Sequence, residues 1–344
     1  MYICNKKILL EKEIVQRKLP KNIDKHDYKI FKIDLKKKIS DVYYYKINNF
    51  FFFINNTFYV KSKKILFDFL QIENISKFQF IKKILLLVFF FSKQFIKFSS
   101  KTKYIKRGII IHNRQSNGYY HWINDVLLKV VIIKKLKIFN KYPIILPKNL
   151  NNNFHFDSLQ LLNINFITQK NNLKIKEAIY IPDVSPSGSP RPKLVNLLRK
   201  NLIKKNNNNK NQKIYISRKK SRRSIFNEEE LIKILLKYNF KIYFMEDLKI
   251  IDQISLCNSA KIVIGMHGAG LTNCIWMKKN TTLIEIRPRD ELNLNCYFTL
   301  SNILKLRYYY FFCDKKSVFK TINNAEYSLD IEKFESDFCK ILKL

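Results

Sequence analysis

The sequence is poor in glycine, proline, methionine, tryptophan and acidic residues. Its 344 residues include 6 Gly, 8 Pro, 4 Met and 2 Trp, and 27 Asp plus Glu stand against 65 Lys plus Arg, which gives a net charge of +38. A mix rich in Lys, Asn, Ile, Phe and Tyr is typical of AT-rich coding sequences, and real attraction to a diphosphate or an anionic lipid surface is the competing explanation. Because the lysines are spread along the chain and do not form one block, the charge alone does not predict a nucleic-acid interface.

The sequence also lacks the patterns of a metal site, a disulfide framework and a membrane span. It contains 6 cysteines without a Cys-x-x-Cys pair and has no Asp-x-Asp triplet. We therefore expect neither a zinc knuckle nor the carboxylate clamp that holds Mn²⁺ or Mg²⁺ on a diphosphate. The N-terminus shows no secretory signal, and the longest apolar run, residues 84–92, falls short of the roughly 20 residues of a transmembrane helix. These absences predict a cytoplasmic protein in which residues 84–92 are buried or interfacial.

Length and composition predict a globular α/β chain of more than one domain. The 344 residues, 47% of them hydrophobic, exceed one comfortable core of about 100–200 residues. Residues 1–105 favour strands and hairpins, and no role is assigned to this N-terminal extension. We expect one domain over residues 106–205 and a second over residues 206–344, with the polar run 206–211 as the linker.

Strands and helices alternate with short connections through both predicted domains. Asn227 and Glu230 have capping-box spacing in front of an apolar helix face. Such alternation indicates a parallel, doubly wound sheet, whose ligands bind beyond the carboxyl ends of the strands. The predicted strands are 108–112, 143–146, 178–181, 213–217, 241–244, 261–265, 282–286 and 308–312, and the predicted helices are 119–137, 193–205, 228–237, 250–258 and 291–303, with a short helix from Gly268.

The segment Ile264–Asn273 concentrates glycine where the chain otherwise has little. Gly265, Gly268 and Gly270 are three of the 6 glycines in the protein. A glycine-rich turn from a buried strand into a helix lets backbone N–H groups approach a phosphate, and the helix N-terminus adds positive potential. The turn is therefore a candidate diphosphate site, and an ordinary tight turn around a packed His267 is the alternative.

Polar and charged residues also follow the neighbouring predicted strands. Arg218 beside Ser217 suits the oxygens of a phosphate pair, and Glu285 could accept hydrogen bonds from both hydroxyls of a ribose. Each residue alone would be an ordinary loop residue, but together at one sheet edge they predict a nucleotide site. The predicted donor-binding residues are Ser217, Arg218, Gly265, His267, Gly268, Ala269, Leu271, Thr272, Asn273 and Glu285.

The segment Asn117–Leu127 is the second one with catalytic potential. If it is helical, His121 and Asp125 are four residues apart on one face, so the carboxylate can orient the imidazole. The pair is a candidate general base for an acceptor hydroxyl, with either His121 or Asp125 taking the proton; a core histidine with a satisfied hydrogen bond is the alternative. His112, His121 and His267 all lie at predicted strand ends or helix starts.

Three pieces of sequence, taken in order, resemble glycosyltransferase family 61, which includes capsular polysaccharide biosynthesis proteins. They are Gly118–Trp122 with Asp125, the strand end Tyr215–Arg218, and the turn Gly265–Asn273, within a resemblance that runs from about Gly108 to Cys313. The resemblance implies an inverting transferase with a GT-B-like fold, in which two Rossmann-like domains face each other across a cleft and the C-terminal domain holds the nucleotide.

The same resemblance implies roles for individual residues. Arg218 and the turn His267–Asn273 would neutralise the leaving diphosphate, Glu285 would bind the ribose, and the His121–Asp125 pair would face the acceptor. Gly270 departs from the family pattern, because relatives often have a larger residue there, which bears on how the donor fits.

The sequence thus predicts a metal-independent, inverting glycosyltransferase without a cofactor. It would move a sugar from a nucleotide sugar, expected to be UDP-linked, onto a hydroxyl of a surface polysaccharide or lipid-linked glycan. We expect a cytoplasmic location with peripheral contact between its basic surface and the anionic inner membrane face, and no nucleic-acid partner. Two other classes stay open: a non-catalytic sugar- or nucleotide-binding scaffold, and a basic nucleic-acid-binding protein, which would leave the glycine-rich turn without a role.

Overall fold

A computed structural model describes residues 5–53, 57–59, 103–113, 115–137, 140–169, 173–204, 211–292, 294–316 and 325–343. The chain divides into two compact units, one formed by Met1–Lys12 with Ser40–Val184 and the other by Glu13–Ile39 with Ser185–Leu344. The predicted boundaries at residues 105 and 205 do not coincide with this division, and as limits of independently folding domains they stay a prediction. The apolar run 84–92 and most of the linker 206–211 lie outside the described residues.

The strands are β1 (Asn5–Leu10), β2 (Glu13–Gln16), β3 (Lys36–Ile39), β4 (Val42–Phe53), β5 (Thr57–Tyr59), β6 (Lys103–Ile110), β7 (Ile144–Pro147), β8 (Phe166–Gln169), β9 (Leu173–Tyr180), β10 (Gln212–Ile216), β11 (Ser224–Ile225), β12 (Phe240–Tyr243), β13 (Ala260–Met266), β14 (Thr282–Pro288), β15 (Arg307–Lys315) and β16 (Glu326–Leu329).

The helices are α1 (Tyr28–Leu35), α2 (Tyr119–His121, a π-helical segment Trp122–Val126, then Leu127–Lys135), α3 (Asn153–Leu161), α4 (Pro192–Leu202), α5 (Glu228–Lys237), α6 (Ile250–Ser259), α7 (Cys296–Leu304) and α8 (Ile331–Leu342), with 3₁₀ turns at Lys25–Asp27, Met245–Asp247 and Ala269–Trp276. Within the described part of the chain, no helix combines the length and the apolar character needed to cross a bilayer.

The first unit is built on one mixed sheet. Its strands follow the order β1-β4-β9-β6-β7-β8, and β5 pairs with β4. Strands β9, β6, β7 and β8 run parallel to one another, whereas β4 is antiparallel to β1, β5 and β9. Buried side chains such as Ile110, Ile145 and Ile175 form the core on this sheet. Three strands of the N-terminal segment, β1, β4 and β5, therefore share a sheet with later strands, whereas β2 and β3 form a two-stranded sheet of their own.

The second unit contains a sheet in the order β11-β16-β15-β14-β13-β10-β12. All neighbours from β12 to β15 are parallel, and β16 is antiparallel to β15. Every residue of the central strand β14 is buried, as expected for a parallel strand covered on both faces. The predicted α/β class with parallel strands is confirmed, and β14 places two charged residues, Glu285 and Arg287, inside the sheet.

The elements predicted from residue 108 onward are found, with shifted ends. Helix α5 has the predicted bounds, but the predicted capping box before it is wrong, because the Asn227 side chain makes no cap hydrogen bond. Its Nδ2 donates to Leu329 O at 2.8 Å, and its Oδ1 accepts from Leu329 N at 3.0 Å. Asn227 thus ties α5 to β16. The prediction also missed α3, β8, β11, β16 and α8.

Candidate functional site

The predicted catalytic pair lies at the start of α2, directly after Gly118. Nδ1 of His121 is 2.7 Å from Oδ2 of Asp125, and Asp125 lies within the π-helical segment. Single π-helical turns inside α-helices are frequent at functional sites. The His121 side chain is 24% exposed and that of Asp125 only 9%, so the imidazole is the more accessible member of the pair.

Burial has the largest effect on the pKa of Asp125. Loss of hydration raises the pKa of this carboxyl, and the hydrogen bond with His121 opposes that effect without cancelling it. The contact assigns Nδ1 of His121 to Asp125. Nε2 is then the ring nitrogen through which His121 can exchange a proton with a substrate.

Two further histidines of the first unit have no such accessibility. Burial and the charge of Lys129 lower the pKa of His112 to about 3, and burial lowers the pKa of His155 to about 4. His155 completes a capping box with Asn152 at the start of α3. Both imidazoles are therefore neutral at physiological pH, and His112, despite its place after a strand, is not a candidate base.

An unpredicted polar cluster lies where β6 and β9 end. Lys129 of α2 is 1% exposed, and its Nζ donates to Ile111 O at 2.8 Å and to Oδ1 of Asp183 at 2.6 Å. Nδ2 of Asn113 donates to both oxygens of the same carboxylate, at 3.0 and 3.1 Å. A signal for this cluster was present in the sequence, because Lys129 interrupts an apolar stretch of helix and a buried lysine requires a partner.

The second unit brings Arg218, which follows β10, against the glycine-rich turn that follows β13. A Cβ built on Gly268 would overlap Nη1 and Cζ of Arg218, so glycine is needed here to leave room for the guanidinium. The Gly268 backbone is extended, with φ 161°, so the requirement is for space and not for a left-handed conformation. Arg218 is thus in direct contact with Gly268, the residue that follows His267.

Arg223, which sequence reasoning missed, anchors this arrangement. Its carbonyl accepts from Nε of Arg218 at 3.0 Å, and its own Nη1 donates to His267 O at 3.3 Å. Glu291 binds the Arg223 guanidinium through two hydrogen bonds of 2.7 and 2.9 Å. Burial and, after it, repulsion from Arg223 lower the pKa of Arg218, which as an arginine keeps its charge. Arg218 therefore keeps a positive charge, and binding of an anionic group next to it would be favourable.

His267 has a buried acidic partner. Its Nδ1 lies 2.5 Å from Oε1 of Glu285, and Oη of Tyr308 donates to Oε2 at 2.5 Å. Burial acts to raise the pKa of Glu285, but Arg287 and the hydrogen bonds with His267 and Tyr308 outweigh it, so the pKa lies below its usual value. Because Glu285 is 0% exposed, it offers no surface to a ribose. The predicted contact of Glu285 with a ribose is therefore not possible in this structure, and the carboxylate contacts His267 instead.

Only the middle of the predicted turn faces solvent. Ala269 is exposed, while Gly268 and Gly270 are half-buried. Four other predicted donor-binding residues, Ser217, Leu271, Thr272 and Asn273, are buried and shape the turn from within: Thr272 contacts Tyr297, Asn273 bonds to Gln253 and Trp276, Oγ of Ser217 accepts from Lys219 N, and Leu271 packs near Gly265. Their side chains are placed to hold the turn and not to reach a ligand.

The chemistry available at the two sites differs. The second unit offers a guanidinium, an imidazole with a buried carboxylate behind it, and the backbone of Gly268–Gly270, which together suit an anion. The first unit offers an accessible imidazole whose Nδ1 is held by Asp125, which suits proton transfer. Among the residues that the structure describes, no three His, Cys, Asp or Glu side chains are grouped so as to hold a metal ion.

The chain is similar to proteins of one known family. Residues 119–284 match the family model Glycosyltransferase 61. An EGF domain-specific O-linked N-acetylglucosamine transferase of Drosophila melanogaster is 32% identical over 97 residues, which cover 27% of this chain and 18% of that protein. The alpha-1,3-arabinosyltransferase XAT3 of Oryza sativa subsp. japonica is 28% identical over 103 residues, which cover 28% of this chain and 18% of that protein.

The matches to these two relatives therefore cover less than a third of this chain and less than a fifth of either relative's length. The matched region contains His121, Asp125, Arg218 and the whole glycine-rich turn. Residues 119–284 thus form a Glycosyltransferase 61 domain, as the three motifs predict.

Proposed function

We propose that the protein is a glycosyltransferase that transfers a sugar from a nucleotide sugar to a hydroxyl group of a glycan acceptor. The observation that carries the proposal is the packing of Arg218 against Gly268, next to His267, where two parallel strands end. These groups supply positive charge and hydrogen-bond donors for a diphosphate. The two relatives, an N-acetylglucosamine transferase and an arabinosyltransferase, support the reaction class.

The proposed reaction is inverting and has one displacement step. An acceptor oxygen attacks the anomeric carbon and forms the new glycosidic bond, while the bond between that carbon and the nucleotide diphosphate breaks. Nε2 of His121 takes the hydroxyl proton, and Asp125 holds the other ring nitrogen. Arg218 and His267 stabilise the negative charge on the departing diphosphate. Effects of about 10²- to 10⁴-fold for a positioned base and about 10²- to 10³-fold for each preorganised donor are typical.

The two units are proposed to correspond to the two Rossmann-like domains of a GT-B enzyme, with the nucleotide bound by the second unit and the acceptor by the first. Both units carry parallel strands with polar residues at their carboxyl ends, which supports this assignment. We also propose that arginine and histidine, and not a metal ion, neutralise the diphosphate. The absence of an Asp-x-Asp triplet from the sequence supports this part of the proposal.

The proposed donor is a UDP-linked sugar, and the proposed acceptor is a surface polysaccharide, such as a capsular one, or a lipid-linked glycan. The relatives are named for different sugars, so no particular sugar is assigned. A cytoplasmic enzyme at the inner membrane face would fit a lipid-linked acceptor. The net charge of +38 supports contact with anionic lipids, since each suitably placed basic residue contributes about 1 kcal/mol.

A screen of nucleotide sugars tests the proposal. UDP-, GDP- and CMP-linked sugars would be added in EDTA, and thermal stabilisation and release of the free nucleotide would be measured. At least one should raise Tm and be hydrolysed slowly without metal. Arg218→Ala should abolish both effects, whereas Arg222→Ala, at an exposed arginine of the same loop, should preserve them. Full nucleotide affinity in Arg218→Ala would contradict the assignment of the diphosphate site.

The role of His121 has a separate test. His121→Ala should lower turnover by about 10²- to 10⁴-fold and leave UDP affinity unchanged, because the residue is proposed to act on the acceptor. His26→Ala, at an exposed histidine of the other unit, should have wild-type turnover. Full activity in His121→Ala would remove it as the base and leave Asp125 acting directly. UDP binding without any turnover would instead favour a sugar-binding scaffold, and salt-sensitive binding of DNA or RNA would favour the nucleic-acid class.

A further inference from the structure

The polar cluster Asn113–Lys129–Asp183 is a built feature of the first unit that the reaction proposed above does not use. Lys129 is 1% exposed, but the Asp183 side chain is 28% exposed. The cluster therefore presents an accessible carboxylate whose counter-ion is buried behind it. Hydrogen bonds from Asn113 to both oxygens fix the orientation of that carboxylate.

The cluster is also close to the candidate base. His121, Asp125 and Lys129 follow one another at four-residue spacing along α2, which favours a shared helix face. The charge of Asp183 contributes to the raised pKa of Asp125, and the charge of Lys129 opposes it. Asp183 and Asp125 are thus close enough for their charges to interact. Both lie at the carboxyl edge of the sheet, where ligands of α/β proteins bind.

Stability alone does not account for this arrangement. A lysine buried against a carboxylate loses hydration, and apolar residues of similar volume are often as stable. A rigid, accessible carboxylate is, in contrast, a good acceptor of hydrogen bonds from hydroxyl groups. Because hydroxyls are the groups that a sugar presents in number, the cluster fits recognition of a saccharide.

We propose that Asp183 is an acceptor-binding residue whose carboxylate accepts a hydrogen bond from a hydroxyl group of the acceptor saccharide. Lys129 and Asn113 are positioning residues that hold the carboxylate. This inference rests on the proposed function, because it assumes that the His121–Asp125 pair faces the acceptor. It adds a specificity-determining group next to the base, on the element that follows β9.

The test uses the nucleotide sugar that the screen identifies and four soluble acceptors: the p-nitrophenyl β-glycosides of glucose, galactose, N-acetylglucosamine and xylose. Asp183→Asn should raise the acceptor concentration at half-maximal transfer by at least about tenfold, as for a lost hydrogen bond to a charged group. Donor hydrolysis without acceptor and the thermal shift with UDP should stay at wild-type values. Asp157→Asn, at a half-buried aspartate on α3 of the same unit, is the matched control and should change none of these quantities.

Asp183→Glu is a second variant that keeps the test valid if Asp183→Asn does not fold. It keeps the charge opposite Lys129 and moves the carboxylate by one methylene, so Tm should stay near the wild-type value while half-saturation by the acceptor rises. Unchanged half-saturation in both variants would overturn the inference, and so would a wild-type enzyme that hydrolyses the donor but glycosylates none of the four acceptors. Absence of nucleotide binding and hydrolysis in the wild type would instead overturn the proposed function itself.

Discussion

Gly268→Ala is the substitution that best separates the proposed nucleotide site from the stability of the fold. The added Cβ would overlap Nη1 and Cζ of Arg218 and lie 3.1 Å from Nη2, so the guanidinium has to leave its place. The backbone at Gly268 is extended, a conformation that alanine adopts without strain. The displaced atoms are the end of a flexible side chain. We therefore expect the free energy of unfolding to fall by less than about 1 kcal/mol.

The expected effect of Gly268→Ala on nucleotide affinity is larger. Moving Arg218 removes at least one charge-assisted hydrogen bond to the diphosphate, which contributes about 1.5–3 kcal/mol. Since about 1.4 kcal/mol corresponds to a factor of ten, the Kd for UDP should rise at least about tenfold. Calorimetry with UDP in EDTA measures the Kd, and urea unfolding of the same preparation measures the stability.

Gly270→Ala is the matched control for this prediction, because it lies in the same turn. A Cβ there would lie 3.1 Å from Cγ2 of Ile216 and 3.6 Å from Cγ of Met245, and Arg218 is not among its nearest neighbours. Its UDP affinity should stay close to that of the wild type. Wild-type affinity in Gly268→Ala would refute the reasoning, and an equal loss in both variants would assign the binding to the turn backbone instead of to Arg218.

Three further outcomes concern buried charges. Glu285→Gln leaves Arg287 buried without its anion and should lower the free energy of unfolding by about 3–5 kcal/mol, whereas Glu229→Gln, at a carboxylate that is 77% exposed, should not move the urea midpoint. The pKa of Glu285 is lowered in the folded protein. Its ionised form therefore stabilises the fold at pH values above the ordinary glutamate pKa of about 4.3, and this contribution is lost as the pH falls through the pKa of the folded state. In Glu285→Gln the urea midpoint should therefore depend less steeply on pH in the acidic range. Burial raises the pKa of Asp125, so ionisation of this carboxyl destabilises the fold as the pH rises above about 4. Asp125→Asn should therefore keep or raise Tm at neutral pH, while the rate of sugar transfer falls because His121 loses its orienting partner. A fall in both Tm and transfer rate would contradict this account.

The local pattern of the second unit could be predicted because each element shows its own signal. Helix α5 combines an apolar face with glutamates in its first turn, and its observed bounds are the predicted ones. The glycines of the turn marked a place where a side chain and the backbone approach closely, and Gly268 meets Arg218 there. Parallel strands then bring their carboxyl ends to one edge, whatever the details of the loops.

The first unit could not be predicted in the same way, because its sheet depends on pairing between distant residues. Strand β4 pairs with β9, which follows it by more than a hundred residues in the sequence, with Tyr45 opposite Tyr180. No local pattern specifies which strands pair across such a separation. The same holds for Asn227, whose capping-box spacing was a correct local observation. Its partner, Leu329, comes from a strand near the C-terminus.

The position of Glu285 links the stability of the sheet to the proposed chemistry. A Glu–Arg pair inside β14 could be replaced by apolar residues without loss of stability, so the fold alone gives no reason for a glutamate there. In the strand register Glu285 stands opposite Gly265 of β13, and this brings its carboxylate to His267, which follows that strand. The ring of Tyr297 lies 5.0 Å from the imidazole, and its hydroxyl donates to Gly268 O. His267 is therefore oriented before a nucleotide binds, and Glu285→Gln should weaken UDP binding even under conditions in which the variant is fully folded.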